Sequence, residues 1–209
     1  DVSYQFVTIA DSTASGAGGV VTFNNTKIYE GTYITSKYLV DTSDVAQRFL
    51  LPDSRVDTST LKVQVQNSAS DSTVTTYTKA TDISQISSTS SVYFLQEVEN
   101  GRHEVYFGDG NVSKALSDGN IVILNYVVTN KTASNGASSF SAPSTIDGVS
   151  DITVTTVSNA GGGAEPESLA SIKLQAPLDY ASQGRAVTTD DYVTYTKKLF
   201  ANTQAVSVW

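Results

Sequence analysis

Acid–base or metal chemistry in this chain would have to be built from carboxylates and one histidine. The 209 residues include a single His, His103, and no Cys. A zinc centre needs about three or four Cys, His or carboxylate ligands converging on one point, so no metal ligands are assigned. His103 lies between Arg102 and Glu104 in a strand-like stretch. It reads as a surface or cross-strand residue, because a catalytic imidazole also needs an adjacent nucleophile and an orienting acid. Glu97, Glu104 and Asp109 are the carboxylates a glycoside hydrolase would use, paired about 5 to 9 Å apart across a cleft. Their neighbours favour a plainer reading. Glu97 and Glu99 alternate with apolar residues, as on the wet face of a strand, and Asp109 between Gly108 and Gly110 has turn chemistry. No catalytic residue is assigned.

The glycine-rich stretches do not build nucleotide sites. In Gly16-Ala17-Gly18-Gly19 the third glycine of a dinucleotide fingerprint is replaced by Val21, and no helical pattern follows. Gly161-Gly162-Gly163 lacks the Lys-Ser or Lys-Thr of a phosphate loop. Asp118-Gly119-Asn120 offers oxygens but not the spacing of a calcium loop with its closing Glu, so it reads as a turn. No cofactor and no small-molecule substrate are assigned.

A net charge of −8 opposes nucleic-acid binding, which needs a cationic stripe to displace counterions. No stretch approaches the roughly 18 apolar residues of a membrane span. The eleven Tyr, seven Phe and one Trp support an alternative reading, a β-rich adhesin or carbohydrate-binding module that stacks aromatics on sugars. Tyr is also a common strand residue with an apolar body and a polar tip.

Any such groups must be carried by strands. Thr, Val, Tyr and Ile suit pleated, half-buried surfaces, and Ser, Asn, Asp and Gly suit turns. Tyr4 to Ile9 and Val20 to Phe23 predict short strands, with a turn at Asn24-Asn25 before Ile28 and Tyr29. Tyr33 and Tyr38 to Val40 follow Gly31. Leu61 to Gln66 alternates with period two and predicts a strand with one wet face. Residues 67 to 91 predict strand edges and loops. Val92 to Val98, a two-residue Asn100-Gly101 turn and His103 to Phe107 predict a hairpin. Ile121 to Val128 is apolar on both faces and belongs inside a sheet. Ile152, Val154 and Val157 alternate as a further strand.

Patterning changes after the triple glycine. Glu165-Pro166-Glu167 suits a helix start, and Leu169, Ile172 and Leu174 continue it to Pro177, which ends or kinks it. Thr188 with Asp191 predicts a capping box before a second helix that carries Tyr192, Tyr195 and Leu199 on one face. Gln204 to Trp209 alternates as a strand. The fold class is therefore α+β, a mainly antiparallel β-rich region followed by a small helix-helix-strand module. The β-rich domain spans residues 1–158, as one unit or two sub-domains. The module spans 159–209 and reads as truncated at its C-terminus, the glycines forming a swivel. Leu169, Ile172, Tyr192, Tyr195, Leu199 and Phe200 are the candidate protein interface.

Two stretches carry a family resemblance. Tyr106-Phe107-Gly108-Asp109-Gly110, then Asp118-Gly119 and the strand Ile121 to Tyr126, resembles the baseplate J-like family of contractile phage tails. Gly161 to Trp209 is similar to the other signature of that family, through Glu167-Ser168, Ala176-Pro177, Gly184 to Thr188 and Asp191-Tyr192. Within such tails the chain resembles an inner portion of a T4-type wedge protein. One departure is that Asn111 to Leu116 has neither the Gly nor the Pro often found after the first turn. The resemblance implies a non-enzymatic virion protein, assembled in the host cytoplasm. It further implies that the protein dimerises with itself, joins other baseplate wedge proteins in a ring around the tail hub, and rearranges on contraction.

Overall fold

The computed structural model describes residues 2–146, 148–200, 203 and 205–209, without the side chain of Ala17. It divides into two compact units, Asp1–Gly163 and Ala164–Trp209.

The first unit holds the strands β1 (Phe6–Val7), β2 (Ser15–Ala17), β3 (Val20–Thr22), β4 (Tyr29–Glu30), β5 (Thr32–Leu39), β6 (Phe49–Leu51), β7 (Val56–Gln66), β8 (Val74–Lys79), β9 (Val92–Val98), β10 (Arg102–Tyr106) and β11 (Ile121–Val128). Seven form one sheet in the order β5-β11-β7-β8-β9-β10-β6, while β1 with β4 and β2 with β3 make two-stranded ribbons. Within the large sheet the β8–β9 pair is parallel and every other pair is antiparallel.

One face of this sheet encloses a single core. Val122, Leu124, Tyr126 and Val128 alternate along β11 and meet Val63 and Val65, Tyr77, Tyr93, Val105, and Phe49 with Leu51 from the other strands. The period of two thus delivers each strand's apolar set to one side. The two edges of the sheet return toward each other. From β5, the Tyr38 ring lies 5.7 Å from that of Phe49 on β6, and its hydroxyl donates to the Leu50 carbonyl. The sheet is nearly a closed barrel, so the sequence expectation of a β-rich α+β fold holds.

β11 sits between β5 and β7, as its two-sided apolarity predicts. Its partner β7 bulges where pairing jumps from Asn125–Lys62 to Val127–Asp57. The buried Thr60 repairs the ladder there: its hydroxyl accepts the Val127 amide at 3.0 Å and donates to the Asp57 carbonyl at 2.7 Å.

Four sequence expectations change. The β9–β10 hairpin exists, but Arg102 pairs with Val98, so three residues, Glu99-Asn100-Gly101, make the turn. Asn100 and Gly101 both take left-handed backbone, with φ of 64° and 69°. Residues 151–157 belong to no strand. Their alternation selects faces, but a strand also needs ladder pairing along its length, and they form none. Residues 205–209 likewise form no strand, and Gln204 lies outside the described residues. The glycine swivel is partly fixed. The Gly163 amide donates to Asn135 Oδ1 at 3.0 Å, and Asn135 Nδ2 donates to the Gly163 carbonyl at 2.8 Å. A pair of main-chain bonds joining Ala160 to Gly136 and Ala137 holds the chain just upstream.

The second unit is a helix pair, α1 (Leu169–Ser182) and α2 (Thr189–Leu199). Ser168 caps α1, so the helix begins after Glu165-Pro166-Glu167, and Pro177 lies inside it without ending it. Proline removes one internal hydrogen bond, and the flanking turns carry the helix through. The Thr188–Asp191 capping box forms as the spacing predicts.

Candidate functional site

Strand pairing decides where the residues with chemical potential fall. His103 on β10 is half-buried, opposite Leu51 on β6 and Glu97 on β9, with its Nδ1 buried and unpartnered. Glu104 lies opposite Gln96 and points to the other face, where it meets Arg48 at 3.9 Å. Strand alternation therefore separates Glu97 from Glu104. Arg48 also stands 4.1 Å from the Tyr106 ring centroid, and Tyr106 stacks on Phe94. Among the described residues no group of three or more potential metal ligands converges. No described helix is long and apolar enough to cross a membrane.

Asp109 is a turn-former. Its carboxylate accepts the Asn111 amide at 2.9 Å, and these backbone and side-chain bonds from Asn111 hold its carboxyl below the usual range. The Gly110 amide closes the loop on the Ser113 carbonyl at 2.9 Å. Ser113 in this loop is fully buried. Asp118 accepts from the Thr42 amide at 3.2 Å, and Asn120 Nδ2 reaches the Asn67 carbonyl at 2.7 Å, so this trio pins loops together.

The surface features of the helix pair are different in kind. Lys198 Nζ binds Asp179 at 2.8 Å, and the Tyr195 hydroxyl lies 3.3 Å from Ser182 Oγ, fixing α2 along α1. The hydrogen bond that Lys198 donates to Asp179 raises the Lys198 pKa. Between the helices runs a groove of about 640 Å³, lined by Ile172, Gln175, Asp179, Thr194 and Lys197 among others. Of the six candidate interface residues, Ile172 lines this groove and Tyr195 is half-buried beside Ser182. Leu169, Tyr192, Leu199 and Phe200 are exposed, by 66%, 51%, 74% and 65%.

The apolar surface is wider than those six. Leu174, Leu178, Tyr180 and Val187 are also exposed, whereas Ser182 and Thr194 are the buried positions among the described residues of this unit. The sequence signal was the composition of α1, where Lys173 and Asp179 are the charged residues and the apolar ones fall on several sides. A helix apolar on several sides normally has neighbours that cover it. This unit does not bury a large apolar core of its own.

Residues 36–139, the stretch from within β5 through the Phe107-Gly108-Asp109-Gly110 turn and beyond β11, match the family described as the third domain of the bacteriophage baseplate wedge protein gp6. The chain is 28% identical to the baseplate wedge protein gp6 of Enterobacteria phage T4, over 55% of its own length. It spans 21% of the length of that relative. The matched family segment lies in the barrel, whereas the resemblance had also drawn on the helices beyond Gly161. Through its barrel, the chain is similar to the gp6 family of bacteriophage baseplate wedge proteins.

Proposed function

We propose that the chain is a structural component of the baseplate wedge in a contractile phage tail. The observation that carries this is the family match over residues 36–139. In this reading the barrel is a stiff spacer, its strands tied to one core. The helix pair is a docking element, using Leu169, Ile172, Tyr192, Tyr195, Leu199 and Phe200 toward a second copy and toward other wedge proteins. Its exposed apolar sides support that role. Wedges joined this way close a ring around the tail hub, and repacking of such interfaces accompanies contraction. The protein acts without catalysis. The separation of Glu97 from Glu104 and the turn role of Asp109 support that part of the reading.

Imaging of the intact tail tests it. The seven-stranded barrel should fit density in the wedge, at symmetry-related positions around the hub. Particles that assemble complete baseplates without this chain would exclude the reading.

A further inference from the structure

The triple glycine stands at the end of the first unit, yet its last member is firmly held. Gly163 exchanges two hydrogen bonds with the Asn135 carboxamide, its amide donating at 3.0 Å and its carbonyl accepting at 2.8 Å. A Cβ on Gly163 would overlap the Lys131 carbonyl oxygen, so glycine is what brings the main chain this close. Upstream, the Ala160 amide donates to Ala137 and the Ala160 carbonyl accepts from Gly136, both at 2.8 Å. Gly162, between these anchors, takes left-handed backbone with φ of 91°. Gly161 is different. Its φ is not left-handed and a Cβ there would meet nothing within 4 Å, so the held arrangement does not require glycine at that position.

Downstream, the second unit takes up the chain almost at once. Glu165 and Glu167 line the groove between the helices, Glu167 accepts the Ser171 hydroxyl at 2.6 Å, and Ser168 caps α1. Ala164 separates Gly163 from these residues. While Asn135 holds Gly163, the slack in the connection is that one residue.

We infer that Asn135 is a catch that opens to lengthen the connection between the two units, a role beyond the docking proposed above. The catch is weaker than the structure it is fixed to. Asn135 is exposed, so water competes for both of its bonds, whereas the barrel strands share a dry core. An element of that kind opens well before the strands do. Release at Asn135, with Ala160 still paired, frees Gly161, Gly162 and Gly163 together. Three extended residues add about 10 Å of reach. The glycine at 161, which the closed form does not need, suits the open one because its backbone turns freely. A connection of two lengths lets the helix pair change its contacts while the barrel stays in place.

Hydrogen–deuterium exchange and distance measurements on the full 209-residue chain test the catch. Asn135→Ala should speed exchange of the Gly163 amide about tenfold and leave the β11 amides unchanged. Gly163→Ala should open the catch in the same way, and Gly161→Ala should leave it closed. The chain has no Cys, so Thr76→Cys with Lys173→Cys places one spin label on each unit at an exposed position. The distribution of distances between the labels should widen, by up to about 10 Å, in Asn135→Ala and in Gly163→Ala. In Gly161→Ala it should match the parent chain. Unchanged Gly163 exchange in Asn135→Ala, equal effects of the two glycine substitutions, or an unchanged label distribution in Asn135→Ala overturns the inference. Every readout is made without wedge partners, so such a failure leaves the structural role proposed above standing.

Discussion

Gly108 and Ser113 compete for one volume: a Cβ on Gly108 would overlap the Ser113 hydroxyl and stand 2.9 Å from the Ser113 amide nitrogen. Ser113 is fully buried and its hydroxyl has no hydrogen-bond partner. The close approach lets the loop fold tightly after Phe107, whose ring packs edge-on against Phe49 and Tyr77 at 5.7 and 5.2 Å. Gly108→Ala should destabilise the barrel by about 1–3 kcal/mol through overpacking. Ser113→Ala should cost little, because it removes an unpaired buried hydroxyl. The double variant should recover part of the loss, since the amide nitrogen of residue 113 remains. Chemical denaturation of the single and double variants measures this coupling.

Thr60 gives a second test of the barrel. It is 5% exposed, and its hydroxyl accepts the Val127 amide that the β7 bulge leaves out of the ladder. Thr60→Val keeps the shape and strands that amide in a dry site. The expected cost is about 1–3 kcal/mol. Thr60→Ser keeps the acceptor and should retain most of the stability, with slow exchange of the Val127 amide. Equal stability of the two variants would remove the hydroxyl from the account of the bulge.

Acid should loosen the start of α2. The Asp191 carboxylate accepts the amides of Thr188 at 2.8 Å and Val187 at 3.0 Å. Those donors hold its carboxyl below the ordinary range, Thr188 contributing most. A carboxyl with a depressed folded-state pKa contributes its full stability above the unfolded value of about 3.9 and loses it as pH falls through the folded value. Asp71, pulled to about 2 chiefly by hydrogen bonding from Asn67, follows the same sign in the β7–β8 turn. Helical circular dichroism should therefore fall on acidification below about pH 4. Asp191→Asn should lower helicity at neutral pH and flatten that acid transition.

The sequence made the inner strand β11 readable because it is largely buried on both faces, a pattern that β propensity and hydrophobicity report together. The capping box was readable because Thr188 and Asp191 satisfy each other locally. Strands at 151–157 and 205–209 were misread for the opposite reason. Their alternation is local, whereas pairing depends on what lies alongside. The Asn100-Gly101 turn was placed correctly but one residue short, since Glu99 enters the loop rather than extending β9. The parallel β8–β9 contact and the Thr60 repair depend on long-range register, which neighbouring residues do not encode. Of the candidate interface, the face of α2 was visible from spacing. The broader exposure of α1 required knowing that little of its own unit packs on it.

The helix pair offers the sharpest test of docking, because its exposed apolar residues differ in what else they hold. Tyr195 also meets Ser182, so Tyr195→Asp should disturb the packing of α1 against α2 along with any interface. Leu169 is 66% exposed at the first position of α1, where an acidic side chain complements the helix dipole. Leu169→Asp should therefore keep helicity while placing a charge on the apolar surface. Leu199 is 74% exposed at the last position of α2, where a cation is favoured, so Leu199→Lys is the matching change. With both present, circular dichroism should match the parent chain, and binding to wedge partners should weaken by about tenfold or more, roughly the loss of one well-buried apolar contact. Light scattering and pull-down of reconstituted wedge proteins give the two readouts. Folded variants that bind as the parent does would move the docking surface off these helices.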